Sequence, residues 1–285
     1  MLYLPLYINK ELIKMHYNKS AKDSKEDRKI LYDYYKKLGT GRKVAVLMHL
    51  LLNGIVLIHL IYYINLNDTK HGLACIKVMI MFLFPWLIEL ILKIKLPDVI
   101  IIVVLLFIFS AVILGEINSF YVRYPIWDVM LHTISGFVST VCGYMIFIKK
   151  ISRSSQTTGS EYFYILVAAV SLSMTIAVFW EFYEFGMDQI MFRDMQKDTI
   201  IHTIKSVKIG SSKSLTVLNN IAKVTIDGIK LDIDGYLDIG LYDTMKDLLN
   251  NLFGTVLFVL IWLGRKEKVN KYLFLHTNDH LNQKG

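Results

Sequence analysis

Three short stretches of the chain carry acids and a histidine at helical spacing. Asp128 and His132 stand four residues apart. Glu181, Glu184 and Asp188 follow at steps of three and four, and Asp243, Asp247 and Asn251 at steps of four. Residues at i, i+3 and i+4 share one helix face, so each stretch presents its polar groups in a single direction. Carboxylates with one imidazole are divalent-metal ligands, and this set suits manganese, iron or zinc better than calcium. A metal with an open position would acidify a water for hydrolysis, with a neighbouring carboxylate as base. The expected ligand set is Asp128, His132, Glu181, Glu184, Asp243 and Asp247, with Glu184 and Asp247 as the groups that carry the chemistry. No other cofactor is expected.

Each stretch has a plainer reading. Asp128 and Asp243 open apolar runs, where an acid is a good N-cap and suits the helix dipole. Glu181 and Glu184 are harder to explain that way. They lie near the C-terminal end of their run, where the dipole disfavours acids, and two carboxylates one turn apart repel. Either one is protonated or a cation offsets them. Arg193 and Lys197 follow soon after and would do so as an ion-pair network without chemistry; a bound metal is the other solution. At the sequence level both stay open.

The elements that position these groups are membrane spans. The chain has 285 residues and is 54% hydrophobic. Its apolar runs are about 20 residues long, enough to cross a bilayer core of roughly 30 Å. The pattern predicts an all-α polytopic membrane protein with six transmembrane helices. These are expected near Val44–Ile64, Leu73–Leu92, Asp98–Gly115, Val129–Ile148, Tyr162–Ile190 and Thr244–Leu263. The domain plan is a basic segment at 1–43, spans one to five within 44–190, a β-rich insert at 191–243, the sixth span at 244–264 and a tail at 265–285. Acids inside spans are costly and mark sites.

The formal charge of +8 is not a nucleic-acid signature, and no nucleic-acid partner is expected. Its compact cluster precedes the first span, where it would face anionic lipid. Lysines and arginines near the span ends alternate by side. Arg42 and Lys43, Lys93 and Lys95, Lys149, Lys150 and Arg153, and Arg265, Lys266, Lys268 and Lys271 fall on one side, which places both termini in the cytoplasm. Met1 to Tyr7 is too short an apolar run for a signal peptide. Cys75 and Cys142 lie in apolar runs and lack metal-site spacing, so packing is their expected role.

Within the insert, Val224 to Ile233 reads as a β-hairpin turning at Asp227-Gly228, with Ile226 opposite Ile229 and Val224 opposite Leu231. Asp198 to Ile209 is expected to add a strand or two, and the small sheet to lie on the span ends. The acids Asp232 and Asp234 do not make a calcium loop, because Lys230 and Leu241 occupy its first and twelfth positions. Elsewhere in the spans, Glu89 is expected to pair with Lys93, Lys77 to snorkel, Asp98 to cap the third span, and Glu116 to lie near the cluster. Trp127 and Trp180 read as interface aromatics.

At Asp128 and His132 with Gly136, at Glu181 and Glu184, and at Asp243-Thr244-Met245-Lys246-Asp247 with Asn251 and Gly254, the chain resembles the YjdF-like family of bacterial inner-membrane proteins. The likeness covers residues 120–260. It is similar, more distantly, to VanZ-like envelope proteins, which carry Glu-x-x-Gln where this chain has Glu181 and Glu184. The resemblance implies a multi-pass protein of the bacterial plasma (inner) membrane and supports the polar cluster; it supplies no reaction.

Three functions fit. One is a divalent-metal-dependent hydrolase acting on a lipid or envelope substrate at the outer face. The second is a cation- or proton-coupled transporter using the same acids as a relay. The third is a non-enzymatic scaffold. Membrane lipid is the expected partner, with an envelope partner at the insert.

Overall fold

A computed structural model describes residues 38–151, 157–210 and 214–278. The segment before 38, Arg153 in the loop after the fourth span, and residues 279–285 lie outside the described residues. The helices are α1 (Thr40–Asn65), α2 (Thr69–Met81), α3 (Phe84–Leu92), α4 (Asp98–Phe109), α5 (Phe120–Arg123), α6 (Ile126–Ile151), α7 (Gly159–Met191) and α8 (Leu241–Asn278). Six segments are long and apolar enough to cross a bilayer: Thr40–Asn65, Thr69–Leu92, Asp98–Ile117, Ile126–Lys150, Gly159–Met191 and Leu241–Leu273. The protein is therefore an all-α polytopic membrane protein, with short antiparallel strand pairs between its last two spans.

Three spans differ from their sequence outline. The second divides into α2 and α3 at Phe82 and Leu83, and Pro85 starts α3 where its missing N–H costs nothing. The third continues past Gly115 as a π-helical stretch, Ser110–Ile117. A Cβ at Gly115 would overlap the Tyr121 ring, so only glycine lets that ring pack here. The sixth runs on to Asn278 through a break at Arg265 (φ −139°, ψ 32°) instead of stopping near Leu263.

Spans four to six carry the clustered acids and pack together: α7 and α8 both lie on α6. Two glycines set how closely α6 and α8 approach. A Cβ on Gly136 would overlap the Asn251 carbonyl, and one on Gly254 would overlap the Thr133 carbonyl. Without a hydrophobic drive between helices in lipid, such close backbone contact and buried hydrogen bonds hold spans together. Here Thr140 Oγ1 donates to Gly136 O at 2.6 Å and to Thr255 Oγ1 at 3.1 Å, Ser173 Oγ to Gly136 O at 3.1 Å, and Asn251 Nδ2 to Ser173 Oγ at 3.3 Å. All four side chains are buried.

At the end away from the insert, Arg42 closes the first half of the protein. Its Nη1 and Nη2 donate to the two Glu89 oxygens at 3.1 and 3.0 Å, Nη2 also reaches Leu96 O at 3.0 Å, and Nε lies 2.7 Å from Asp98 Oδ1. The expected Glu89–Lys93 pair does not form. Lys93 ends α3 in the left-handed region (φ 53°), which takes it out of helical register, and its carbonyl accepts from Lys149 Nζ. Asp98 likewise serves Arg42 and makes no cap, because Pro97 precedes it.

The insert holds three two-stranded pieces, not one sheet. β1 (Thr199–Ile201) pairs with β6 (Tyr236–Asp238), β2 (Ile204–Ser206) with β3 (Thr216–Leu218), and β4 (Thr225–Ile226) with β5 (Ile229–Lys230), all antiparallel. The hairpin register is as the sequence requires: Ile226 faces Ile229, Leu231 N donates to Val224 O at 2.9 Å, and Asp227 and Gly228 both have positive φ. Only the base of its apolar face is covered: Val224 and Leu231 are half-buried, and Ile226 and Ile229 beside the turn are exposed. Two-residue strands bring too little surface to dock.

Slight desolvation of an exposed position, followed by repulsion from Asp194, Asp238 and Asp188, raises the Asp198 carboxyl above the usual range just before β1. An acid whose folded-state affinity for its proton is raised stabilises only while protonated, and that stability is lost as pH rises through the folded value. Asp198→Asn is accordingly expected to slow amide exchange in β1 at about pH 7 and to change nothing near pH 3. Faster exchange at neutral pH would contradict this electrostatic picture.

Candidate metal centre

Each of the last three spans delivers its acids to the same end of the bundle, because α6 and α8 start there and α7 ends there. Asp128 and His132 lie in the first two turns of α6, Glu181 and Glu184 in the last three of α7, and Asp243 and Asp247 in the first two of α8. Asp247 is the meeting point. One ligand atom each from Asp128, His132 and Asp247 lie within 4.8 Å of one another, and the same holds for Glu181, Glu184 and Asp247. His132 Nε2 is 3.3 Å from Asp247 Oδ2 and 3.6 Å from Asp128 Oδ1. Glu181, Glu184 and Asp247 are 5%, 8% and 3% exposed.

Hydrogen bonding separates the groups sharply. Glu184 Oε1 accepts from Trp180 Nε1 at 2.9 Å, but its Oε2 and both Glu181 oxygens are buried without a hydrogen-bond partner among the described residues. The Gln196 amide donates to the Thr244 hydroxyl at 2.5 Å, which leaves the hydroxyl hydrogen and the second amide hydrogen free to turn to Glu181 beside them. Buried polar atoms are nearly always partnered, and a charged one left without a partner costs several kcal/mol. Protons, those two donors or a bound cation would each meet such oxygens.

One expected ligand, Asp243, and its neighbour Asp188 do other work. Asp243 stands outside both groups, and its Oδ2 accepts from Lys197 N at 2.8 Å. Asp188 accepts from Met195 N at 2.7 Å and Gln196 N at 2.8 Å. Together they pin the strap of residues 193–198 between the ends of α7 and α8. Glu116 pairs with Lys77 at 3.2 Å instead of joining the cluster. Of the two expected cations, Lys197 enters the site and its Nζ pairs with Asp128, while Arg193 is exposed.

The structure adds two residues. Tyr121, on α5, packs its ring on Gly115 and beneath Lys197 Nζ, 4.9 Å from the ring centroid. Burial first, then the charges of Asp128, Glu116, Glu184 and Asp247, push its phenol well above the usual range, so it stays a hydrogen-bond donor beside the acids. Nothing local in Ser119-Phe120-Tyr121-Val122-Arg123 marks it, since α5 is a single turn between spans. Trp180 reads as an interface aromatic, yet its indole holds Glu184; the i, i+4 spacing was the available signal.

Four carboxylates thus meet one lysine and one histidine. Such a set can hold a divalent cation through oxygen and imidazole ligands, keep a proton, or both. A family model described as "Predicted membrane protein (DUF2238)" matches residues 47–268. No curated protein matches the chain. No solved structure matches it either.

Proposed function

We propose that this chain, which belongs to the DUF2238 family of predicted membrane proteins, is a divalent-metal-dependent membrane hydrolase acting on a lipid or other envelope substrate. Glu181, Glu184 and Asp247 hold the ion, of manganese, iron or zinc type. His132, beside Asp247, orients that ligand and receives protons, Glu184 acts as base, and Asp128 and Asp243 steady the surroundings. The observation that carries this reading is the three buried carboxylate oxygens of Glu181 and Glu184 that have no hydrogen-bond partner among the described residues. A cation satisfies all three at once; a proton shared between the two glutamates satisfies two.

The site belongs to the outer side of a bacterial plasma (inner) membrane in this reading, with both termini cytoplasmic and the insert open to an envelope partner. The YjdF-like resemblance at Asp128, His132, Glu181, Glu184 and Asp247 agrees with the family match; the VanZ-like one is kept as a more distant relation. An ion-coupled transporter is the second reading, favoured by the polar residues Asn251, Ser173, Thr255 and Thr140 that lead inward from the site. Their groups are bonded to one another, and the next turns of α6 and α8 carry buried Val141, Met145 and Phe258 before the polar contacts of Tyr144, Trp262 and Asn270, which weighs against a continuous path across the membrane.

Elemental analysis of purified protein tests the proposal. Near-stoichiometric metal is expected in the wild type, falling at least about tenfold in Glu181→Gln and Glu184→Gln. Metal-free wild-type protein after loading, or glutamine variants that retain the ion, would overturn it.

A further inference from the structure

The proposed ion occupies one side of Asp247, and the other side already holds a positive charge. Asp128, His132 and Asp247 present ligand atoms within 4.8 Å of one another, the second of two such sets that share Asp247. Two divalent ions bridged by one carboxylate are spaced at about 3.5–4 Å in hydrolytic centres. Here Lys197 Nζ sits on Asp128. The lysine is not a loose surface chain. Its backbone N–H is bound by Asp243 at 2.8 Å, the preceding Gln196 is held by Asp188 and Thr244, and its ammonium lies over the Tyr121 ring. Both ends of the residue are therefore fixed by the cluster's own acids, on α8 at one end and α6 at the other. The two halves differ accordingly: the Asp128 half has its cation, and the Glu181–Glu184 half has buried oxygens with no cation beside them among the described residues.

We infer that Lys197 is the second cation of a two-cation centre, its ammonium standing beside Asp128 and Asp247 where a second divalent ion would otherwise bind. This rests on the proposed metal at Glu181, Glu184 and Asp247, and it sets how many ions the centre takes. An ammonium and a second divalent ion repel at close range, so Lys197 on Asp128 disfavours filling that position.

The test counts manganous ions bound by the purified full-length protein, by equilibrium dialysis and by electron paramagnetic resonance. Wild type is expected to bind about one ion, and Lys197→Met about two, with the spin coupling of a bridged pair. Methionine keeps the length of the aliphatic stem, and a thermal transition of Lys197→Met close to that of wild type is the check that the protein being counted is folded. Adding Asp128→Asn to Lys197→Met should return the count to about one, since the second position then lacks its main acid. A Lys197→Met protein that binds no more ions than wild type overturns the inference and leaves the metal reading intact. So does a wild type that already binds two. Loss of the gained ion in Lys197→Met/Asp128→Asn supports it even where Glu184→Gln fails to remove the first ion, an outcome that sinks only the ligand assignment of the Glu181–Glu184 half. No ion in any of the proteins overturns both.

Discussion

Gly254→Val is expected to abolish the native packing of the last three spans. The Cβ it adds would occupy the position of the Thr133 carbonyl on α6, and its own branches would extend further into that helix. A backbone cannot rotate aside as a side chain can, so α8 must move out by more than a methyl group. Overpacking a tight site costs about 1–3 kcal/mol where side chains can yield, and the cost here lies at or beyond the top of that range. The displacement also breaks the hydrogen bonds that join Thr140, Ser173, Asn251 and Thr255, each of which spans two helices. Cys75 is fully buried, which supplies a readout in detergent: the rate at which a thiol-reactive dye labels it during heating. Gly186→Ala is the matched control, because nothing lies within 4 Å of a Cβ there. It should leave the transition unchanged or raise it slightly, since alanine is the better helix former. A wild-type transition in Gly254→Val would mean that α6 and α8 do not cross at these glycines.

Arg42→Ala carries the other large effect, at the opposite end of the molecule. Glu89 is 2% exposed, and its charge is met by the Arg42 fork and by the Leu96 N–H at 2.7 Å. Removing the guanidinium leaves a buried carboxylate with one neutral donor, and breaking a buried pair in this way costs about 3–5 kcal/mol. Part of the pair is screened, since the Arg42 side chain is 17% exposed, so the lower end of that range is expected. The same labelling assay should show a marked fall in the transition temperature. Adding Glu89→Gln should recover most of the loss, because the amide oxygen still accepts from Leu96 N and no charge remains to be buried. Failure of that rescue would show that Arg42 acts through its contacts with Asp98 and Leu96 O instead.

The strength of this clamp explains why the sequence reading of Glu89 fell short. A lysine four residues along looked like its partner, and short-range spacing offers no way to weigh that against an arginine 47 residues earlier. The same limitation recurs with Glu116 and Lys77, which are 39 apart, and with Asp128 and Lys197, which are 69 apart. In each case the pair is set by which helices become neighbours, and neighbours are chosen by packing over the whole bundle.

What the sequence determined by itself is the number of spans, the end at which the acids gather and the register of the hairpin. A bilayer core admits only segments long enough to cross it with their backbone bonds closed, so apolar length alone counts the helices. Alternating direction then puts the start of α6, the end of α7 and the start of α8 at one level, while a two-residue turn after Ile226 leaves no other pairing for Ile229. Only the tertiary structure decided that Asp247 is shared between two ligand sets, that Asp188 and Asp243 hold a strap, and that Tyr121 and Lys197 enter the site. Those outcomes turn on how far each helix is rotated and how closely two backbones approach. Gly136 and Gly254 set that approach through contacts with residues more than a hundred positions away, which local periodicity does not record.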